Sequence, residues 1–253
     1  MWLVSVAAIA SMGTSPPVVT EFVEYIRRTG RLQHLSILST SEKMVREGVK
    51  LVEAALHIRY PDLKVDVHEL PVSDITSEEE NYVFMEYSVR LIVDLSGRFD
   101  ILHVCLAGGR KEMVASLVMV AQLTGLNSVY HVVSPYVKEM NVELERIRSD
   151  IEALADSVDP KKYYEENREK FDRVMFPPAE RYSVVTVPII PYPADYMVML
   201  KRILGGELSA RNVRDRTWLE QLKRAGLIAV TRDGTIVVTV EGQKLYSHVL
   251  KYL

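Results

Sequence analysis

The sequence predicts an α/β fold, a doubly wound and mainly parallel sheet with helices on both faces, followed by a small C-terminal module. Three observations lead there. Short apolar, β-branched runs alternate five times with stretches of helical period, which is the pattern of βαβ crossovers with right-handed connections. The first run, Trp2 to Ala10, is apolar but for Ser5, as in a strand buried on both faces. A length of 253 residues accommodates one α/β domain of roughly 150 residues and a second unit of about 60.

The elements follow in order. After the first strand, the turn formers Ser11 to Pro17 make a loop, and Val18, Val19, Phe22 and Ile26 repeat at helical spacing until Gly30, so the first helix spans about 17–29. His34 to Leu38 is a strand, Ser41 to Tyr60 a long amphipathic helix, and Val65 to Leu70 a strand. Glu78 to Leu95 is a helix, with Glu78 to Glu80 matched to the dipole of its first turn. Asp100 to Leu106 is a strand, Arg110 to Leu123 a helix and Ser128 to Val133 the fifth strand. Residues 138–157 read as helix, and the charged, Tyr-rich stretch from Asp159 to Arg181 is broken by Pro177 and Pro178. Ser183 to Ile190 is a late or edge strand, because Pro188 lacks a ladder donor.

The second module begins near Pro193, dividing the chain into residues 1–192 and 193–253. Helices are expected over Tyr196 to Leu204, Leu208 to Val213 and Arg214 to Ala225. Ile228 to Thr231 and Thr235 to Thr239 flank Arg232-Asp233-Gly234, a hairpin signal. That order is the order of a winged helix-turn-helix.

With 48% hydrophobic and 26% charged residues, the balance is that of a soluble globular protein. The apolar start is nine residues long without a basic flank, against roughly 20 needed to span a bilayer, so no membrane partner is expected. The lone Cys105 excludes an intrachain disulfide framework and points to a cytoplasmic setting. Net charge is −3, with ten Lys/Arg against six Asp/Glu in residues 195–253. Only this tail is basic enough to meet nucleic acid.

In an open doubly wound sheet a ligand sits beyond the carboxyl ends of the strands, where the strand order reverses. With order 3-2-1-4-5, the loops after strands one and four flank that point. They are Gly13-Thr14-Ser15-Pro16 and Ala107-Gly108-Gly109-Arg110-Lys111. Each leads into a helix N-terminus, which favours an anion. Gly108 and Gly109 let backbone approach a phosphate, while Arg110 and Lys111 supply a fork of donors and a point charge. Cations at a helix start oppose the dipole, which points to function; solvated surface residues are the plainer alternative. Thr14 and Ser15 serve equally well as an N-cap ahead of Pro16 and Pro17. Ser39 and Thr40, ending strand two, fall where an outer pocket would be.

Neither a Gly-x-x-x-x-Gly-Lys-Ser/Thr loop nor Gly-x-Gly-x-x-Gly in the first loop is present, which argues against a P-loop NTPase and a dinucleotide-dependent oxidoreductase. His34, His57, His68, His103, His131 and His248 lack paired ligand spacing, so no metal is expected. No nucleophilic triad is visible, and no cofactor is called for.

Met12-Gly13-Thr14-Ser15-Pro16-Pro17-Val18-Val19-Thr20-Glu21 and Gly108-Gly109-Arg110-Lys111-Glu112-Met113 resemble the two motifs of CRISPR-associated Rossmann-like (CARF) proteins. The order of elements resembles the archaeal CARF ring nucleases with a trailing winged helix. The resemblance implies a homodimer that binds cyclic tetra-adenylate across its two-fold axis and cuts it, without metal, into linear di-adenylates ending in 2′,3′-cyclic phosphate. It implies that Lys111 stabilises developing phosphate charge, that Arg110 holds a phosphate or adenine, and that Ser15 fixes the ribose-phosphate geometry. Gly13, Thr14, Gly108 and Gly109 would offer backbone N–H groups. Tyr130, His131 and Tyr136, which follow into or after strand five, are candidates to stack on adenine, with packing the alternative. A second reading is a sensor without catalysis, in which Arg211, Arg214, Arg216, Lys223 and Arg224 carry the winged helix onto DNA. An effector ribonuclease is disfavoured, because residues 150–253 hold no Arg-x-x-x-x-x-His motif.

Overall fold

The computed structural model describes residues 4–126 and 128–253; Trp2, expected to begin the first strand, lies outside them. Six strands form one sheet: β1 (Val6–Ser11), β2 (His34–Ser39), β3 (Lys64–Glu69), β4 (Ile101–Cys105), β5 (Val129–Val133) and β6 (Ser183–Val187). Their order is β3-β2-β1-β4-β5-β6. The first five are parallel and β6 runs antiparallel to β5. Every residue of β1 and β2 is buried, as central strands covered on both faces must be. The last strand stops at Val187, just before Pro188, and sits at the edge as expected.

Helices α1 (Pro17–Thr29) and α2 (Lys43–Arg59) cover one face; α3 (Glu78–Ser96) and α4 (Lys111–Thr124) cover the other. One core gathers Ala8, Phe22, Leu35 and Cys105, the other Ile9, Phe84, Val104 and Leu117. Alternate residues of β1 and of β4 therefore enter opposite cores, as a period of two requires. Helix α3 begins with a reciprocal capping box between Ser77 and Glu80.

Between β5 and β6 the chain makes four short helices, α5 (Val137–Arg146), α6 (Arg148–Asp156), α7 (Pro160–Glu166) and α8 (Arg168–Met175). The expected single helix over 138–157 is thus two, broken at Ile147, whose backbone leaves helical geometry. The charged, Tyr-rich stretch, given no element in the sequence reading, is helical, and it buries Tyr164 and Phe171, stacked at 5.1 Å, against the first core.

The C-terminal elements are α9 (Ala194–Leu204), α10 (Arg216–Arg224), β7 (Ile228–Val230), β8 (Ile236–Val238) and α11 (Val240–His248). Leu208 to Val213, expected as a helix, contains only a 3₁₀ turn at Ala210–Asn212. The hairpin of β7 and β8 turns at Gly234, with φ +88°, a conformation glycine adopts without a Cβ penalty. These elements share a core of their own around Ile203, Val213 and Leu250.

Helix α11 ties this unit to α3. Lys244 Nζ lies 3.0 Å from Glu78 and 3.3 Å from Glu79. Glu86 accepts hydrogen bonds from His248 Nδ1, at 2.8 Å, and from the Tyr252 hydroxyl. Burial raises the Glu86 carboxyl pKa, but these two donors together hold it below its ordinary value. Among the described residues no helix is long and apolar enough to cross a membrane. Glu86→Ala should cost about 1–2 kcal/mol and should raise amide hydrogen exchange over residues 240–253 before the sheet opens.

Candidate functional site

At the β1/β4 switch point the two flanking loops meet backbone to backbone. A Cβ on Gly108 would stand 1.7 Å from the Ser11 carbonyl oxygen, and one on Gly13 would stand 2.6 Å from the Gly109 nitrogen. Ser11 Oγ donates to the Gly108 carbonyl at 2.5 Å. Gly109 turns the chain with φ +94°, and its α-carbon faces Met113. Gly108 is buried, so its missing side chain makes room for Ser11, which corrects the expectation that it makes room for a phosphate.

Above this junction lies a cleft of about 380 Å³. Gly13, Thr14, Thr40, Gly109 and Arg110 line it, joined by Met12, Val45 and Met113 and by three polar residues that sequence reasoning missed: Glu42, Ser73 and Asp74. Ser73 and Asp74 follow β3, whose loop opens on the same edge of the sheet. That position in a polar segment was the available signal. Glu42 caps α2, its side chain accepting from the Met44 amide.

The electrostatics differ from those of a bare cationic pocket. Arg110 forms a two-point ion pair with Asp74, through Nε and Nη2. The guanidinium is therefore compensated, although it keeps three N–H donors outside that pair. Lys111 is exposed at the first position of α4, outside the residues lining the cleft, and makes no ion pair among the described residues.

The two helix N-termini are not equivalent. In α1, Pro16 and Pro17 have no N–H, and the Val18 and Val19 amides bond to the Ser15 and Pro16 carbonyls at 3.3 and 3.1 Å. The expectation of an anion site at both helices is corrected: α1 has no amide to spare. In α4 the N-cap Arg110 makes no side-chain cap bond, so the amides of Lys111, Glu112 and Met113 lack helical partners.

Other expected residues lie elsewhere. Ser39 is buried at the end of β2 and its carbonyl accepts from the Leu70 amide at 2.8 Å. Tyr130 packs against Phe22, Tyr25 and His103 at 5.9, 6.0 and 5.4 Å between ring centroids, so it belongs to the first core. His131 lies in β5 opposite Val185. Tyr136 precedes α5 with Arg181 over its ring at 5.2 Å. None of the four lines the cleft, which corrects their assignment as cleft residues.

Ser15 lies beyond the cleft, in a second concavity with Glu21 and Ser134. Glu21 is 3% exposed, and burial alone raises its carboxyl to about 7. Cys105 is buried and its thiol is pushed up to about 12, which leaves it unreactive. His34 Nε2 lies 3.0 Å from Ser36 Oγ and 3.6 Å from Asp66. One nitrogen thus faces both groups, so this is no hydroxyl-activating relay. The buried His103 Nδ1 has no partner, and burial favours its neutral ring. Among the described residues no group of three or more His, Cys, Asp or Glu is placed to hold a metal.

Two stability measurements follow. Gly108→Ala should cost at least about 3 kcal/mol in denaturant titration, because the new methyl meets backbone that cannot yield. For Glu21, a folded-state value near 7 against the ordinary 4.5 means that folding favours the acid form. Its contribution is intact below about pH 4.5 and is lost as pH rises through 7. Glu21→Gln should therefore match the parent at pH 4 and exceed it at pH 8, by roughly 3 kcal/mol.

Among curated proteins none matches the chain. Among solved structures it is similar to Csm6 of Enterococcus italicus bound to cyclic hexa-2′-fluoro-hexa-dAMP (10% identity, TM-score 0.46, 88% of this chain and 54% of that one). It is also similar to protein VC1899 from Vibrio cholerae (9%, TM-score 0.39, 96% and 64%). A further likeness is to phosphoribosylglycinamide formyltransferase from Anaplasma phagocytophilum (14%, TM-score 0.27, 95% and 96%). The chain spans about half the length of Csm6 and under two thirds of VC1899. The family described as CRISPR-associated protein NE0113 (Cas_NE0113) matches over residues 15–222, which begins within the first strand-end loop, at Ser15, and takes in the second loop and all six strands of the sheet but the first. The chain belongs to that CRISPR-associated family.

Proposed function

We propose that this protein is a CARF ring nuclease, which binds cyclic tetra-adenylate in the cleft at the β1/β4 switch point and cuts it without a metal. The observation that carries this reading is the convergence of the two motif loops. Gly13 and Thr14 from one, and Gly109 and Arg110 from the other, line a single cleft beside the open N-terminus of α4. A CRISPR-associated family is the setting in which such a messenger occurs. A volume of about 380 Å³ lies at the low end of small-ligand pockets, roughly 300–1,000 Å³. It suits about one nucleotide, so a ring of four extends beyond one cleft, and a second copy of the chain across a two-fold axis is the natural way to hold the rest. A homodimer is therefore part of the proposal.

Chemically, the ribose 2′-oxygen attacks the adjacent phosphorus, and the 5′-oxygen leaves, giving a 2′,3′-cyclic phosphate. The protein must hold these atoms in line and stabilise the added charge on the phosphate. Arg110, oriented by Asp74, keeps three donors for phosphate or adenine. The α4 amides and the unpaired Lys111 ammonium supply further positive potential. Ser15, at the end of the first loop, is assigned to the ribose-phosphate geometry.

Residues 193–253 are read as a winged helix-turn-helix domain. Its use as a DNA-binding output is the weaker reading. Arg211 and Arg216 are bound to the Asp233 and Ala210 carbonyls at 3.0 and 2.8 Å, and Lys223 to Glu220 at 2.8 Å. These bonds leave few cations of that surface for phosphate contacts.

The test is incubation of purified protein with cyclic tetra-adenylate in EDTA, followed by product mass analysis. Linear di-adenylate with cyclic phosphate ends is expected. Lys111→Ala should keep the dimer and lose cutting by about 10²–10³-fold, and normal cutting by that variant would overturn the assignment of Lys111.

A further inference from the structure

The first loop separates two concavities. Thr14 faces the large cleft, whereas Ser15 lines a small one of about 30 Å³, shared with Glu21 and Ser134 and walled by Val18, Val137 and Met140. That volume is the share of about one water molecule. The three polar residues are not equally engaged. Ser134 Oγ donates to the Arg181 carbonyl at 2.8 Å and accepts from the Tyr136 amide at 3.1 Å. Among the described residues, neither the Ser15 hydroxyl nor the Glu21 carboxyl makes any hydrogen bond or ion pair.

An unpartnered carboxyl on a residue that is only 3% exposed costs stability, and the fold could have avoided this by placing Gln or Leu on α1. The titratable groups felt around it are the Cys105 thiol from β4 and the Tyr182 hydroxyl before β6. Neither is a cation, and the Tyr182 hydroxyl is already engaged by Arg28. Glu21 and Ser15 therefore share one small concavity at the end of the loop that forms the main cleft.

We propose that Glu21 is the proton acceptor for the ribose hydroxyl that opens the ring, acting through the Ser15 hydroxyl. This rests on the ring-nuclease reading above. As the O2′–P bond forms, the O2′ proton passes to Ser15 Oγ, and the Ser15 proton passes, through a water in the small concavity, to the Glu21 carboxylate. The P–O5′ bond breaks, and the departing 5′-oxygen takes a proton from the Lys111 ammonium. Exchange with water then restores Glu21 and Lys111. Burial that brings the carboxyl close to neutrality suits such a base, since it titrates near working pH.

The test compares parent, Glu21→Gln and Ser15→Ala for cleavage of cyclic tetra-adenylate in EDTA between pH 5 and 9. Binding of a fluorescent cyclic tetra-adenylate is measured alongside. The parent rate should rise with pH through the carboxyl's titration. Glu21→Gln should bind with unchanged affinity, cut about 10²-fold more slowly and lose that acidic limb. Ser15→Ala, altered in a loop rather than in the core, should lose the same limb even if Glu21→Gln folds poorly. Variants that cut at the parent rate with the limb intact would overturn the assignment of Glu21 alone. A parent that binds the ring but leaves it whole would overturn the nuclease reading, and this inference with it.

Discussion

The contact on which the site depends is between main chains. Two loops from neighbouring central strands lie against each other so closely that neither Gly108 nor Gly13 has room for a Cβ. The Ser11 hydroxyl bonds across them to Gly108. Since β1 and β4 are paired in parallel register from Val6 and Ile101 onward, both loops leave the sheet at the same height. The junction therefore fixes the position of Thr14 relative to Arg110, and with it the two walls of the cleft. Ordinary side chains here would push the loops apart and open the floor, which is why small residues occur together at this point.

The sheet order and the switch point were legible because strands and helices alternate with clear periods and because turn residues mark each strand end. Central strands, both helical layers and the hairpin of residues 228–238 follow from the same signals. What was not legible depended on tertiary contact. Residues 159–175, charged and Tyr-rich in sequence, become helices, because Tyr164 and Phe171 find a hydrophobic face to cover. The Arg110 and Asp74 pair joins residues 36 positions apart, and no local pattern predicts it. Gly109 lines the cleft whereas Gly108 packs under it against Ser11, and the sequence could not tell space for a ligand from space for another backbone. Tyr130 and His131 show the same limit, since a strand-end aromatic looks alike whether it faces a cavity or a core.

Two titratable groups lack the hydrogen-bond partner that burial usually brings, although of the two only the histidine nitrogen is itself a fully buried atom. Glu21 sits without one on α1, and His103 Nδ1 without one on β4. Their environments push in the same chemical direction, because desolvation favours the neutral form of each. The histidine is explained by packing, its ring held edge-on to Tyr130 within the first core. For Glu21 no such account is available: the carboxyl lines a small cavity that also exposes the unpaired Ser15 hydroxyl.

Net charge is a poor guide to what the large cleft attracts. Chain and cleft both carry acidic residues, Glu42 and Asp74 among them, so the long-range field is not that of an anion trap. Short-range donors decide instead. The Arg110 fork, fixed by Asp74, presents its remaining N–H groups in one orientation, and the amides at the start of α4 point along the helix axis. Such donors act over a few ångströms and discriminate by direction, so a phosphate in the right place is held while nonspecific polyanions gain little. An anion that took Asp74's place on Arg110 would also release a carboxylate into the cleft. The pair therefore sets a threshold that a single stray phosphate meets poorly and a ligand with several contacts meets well.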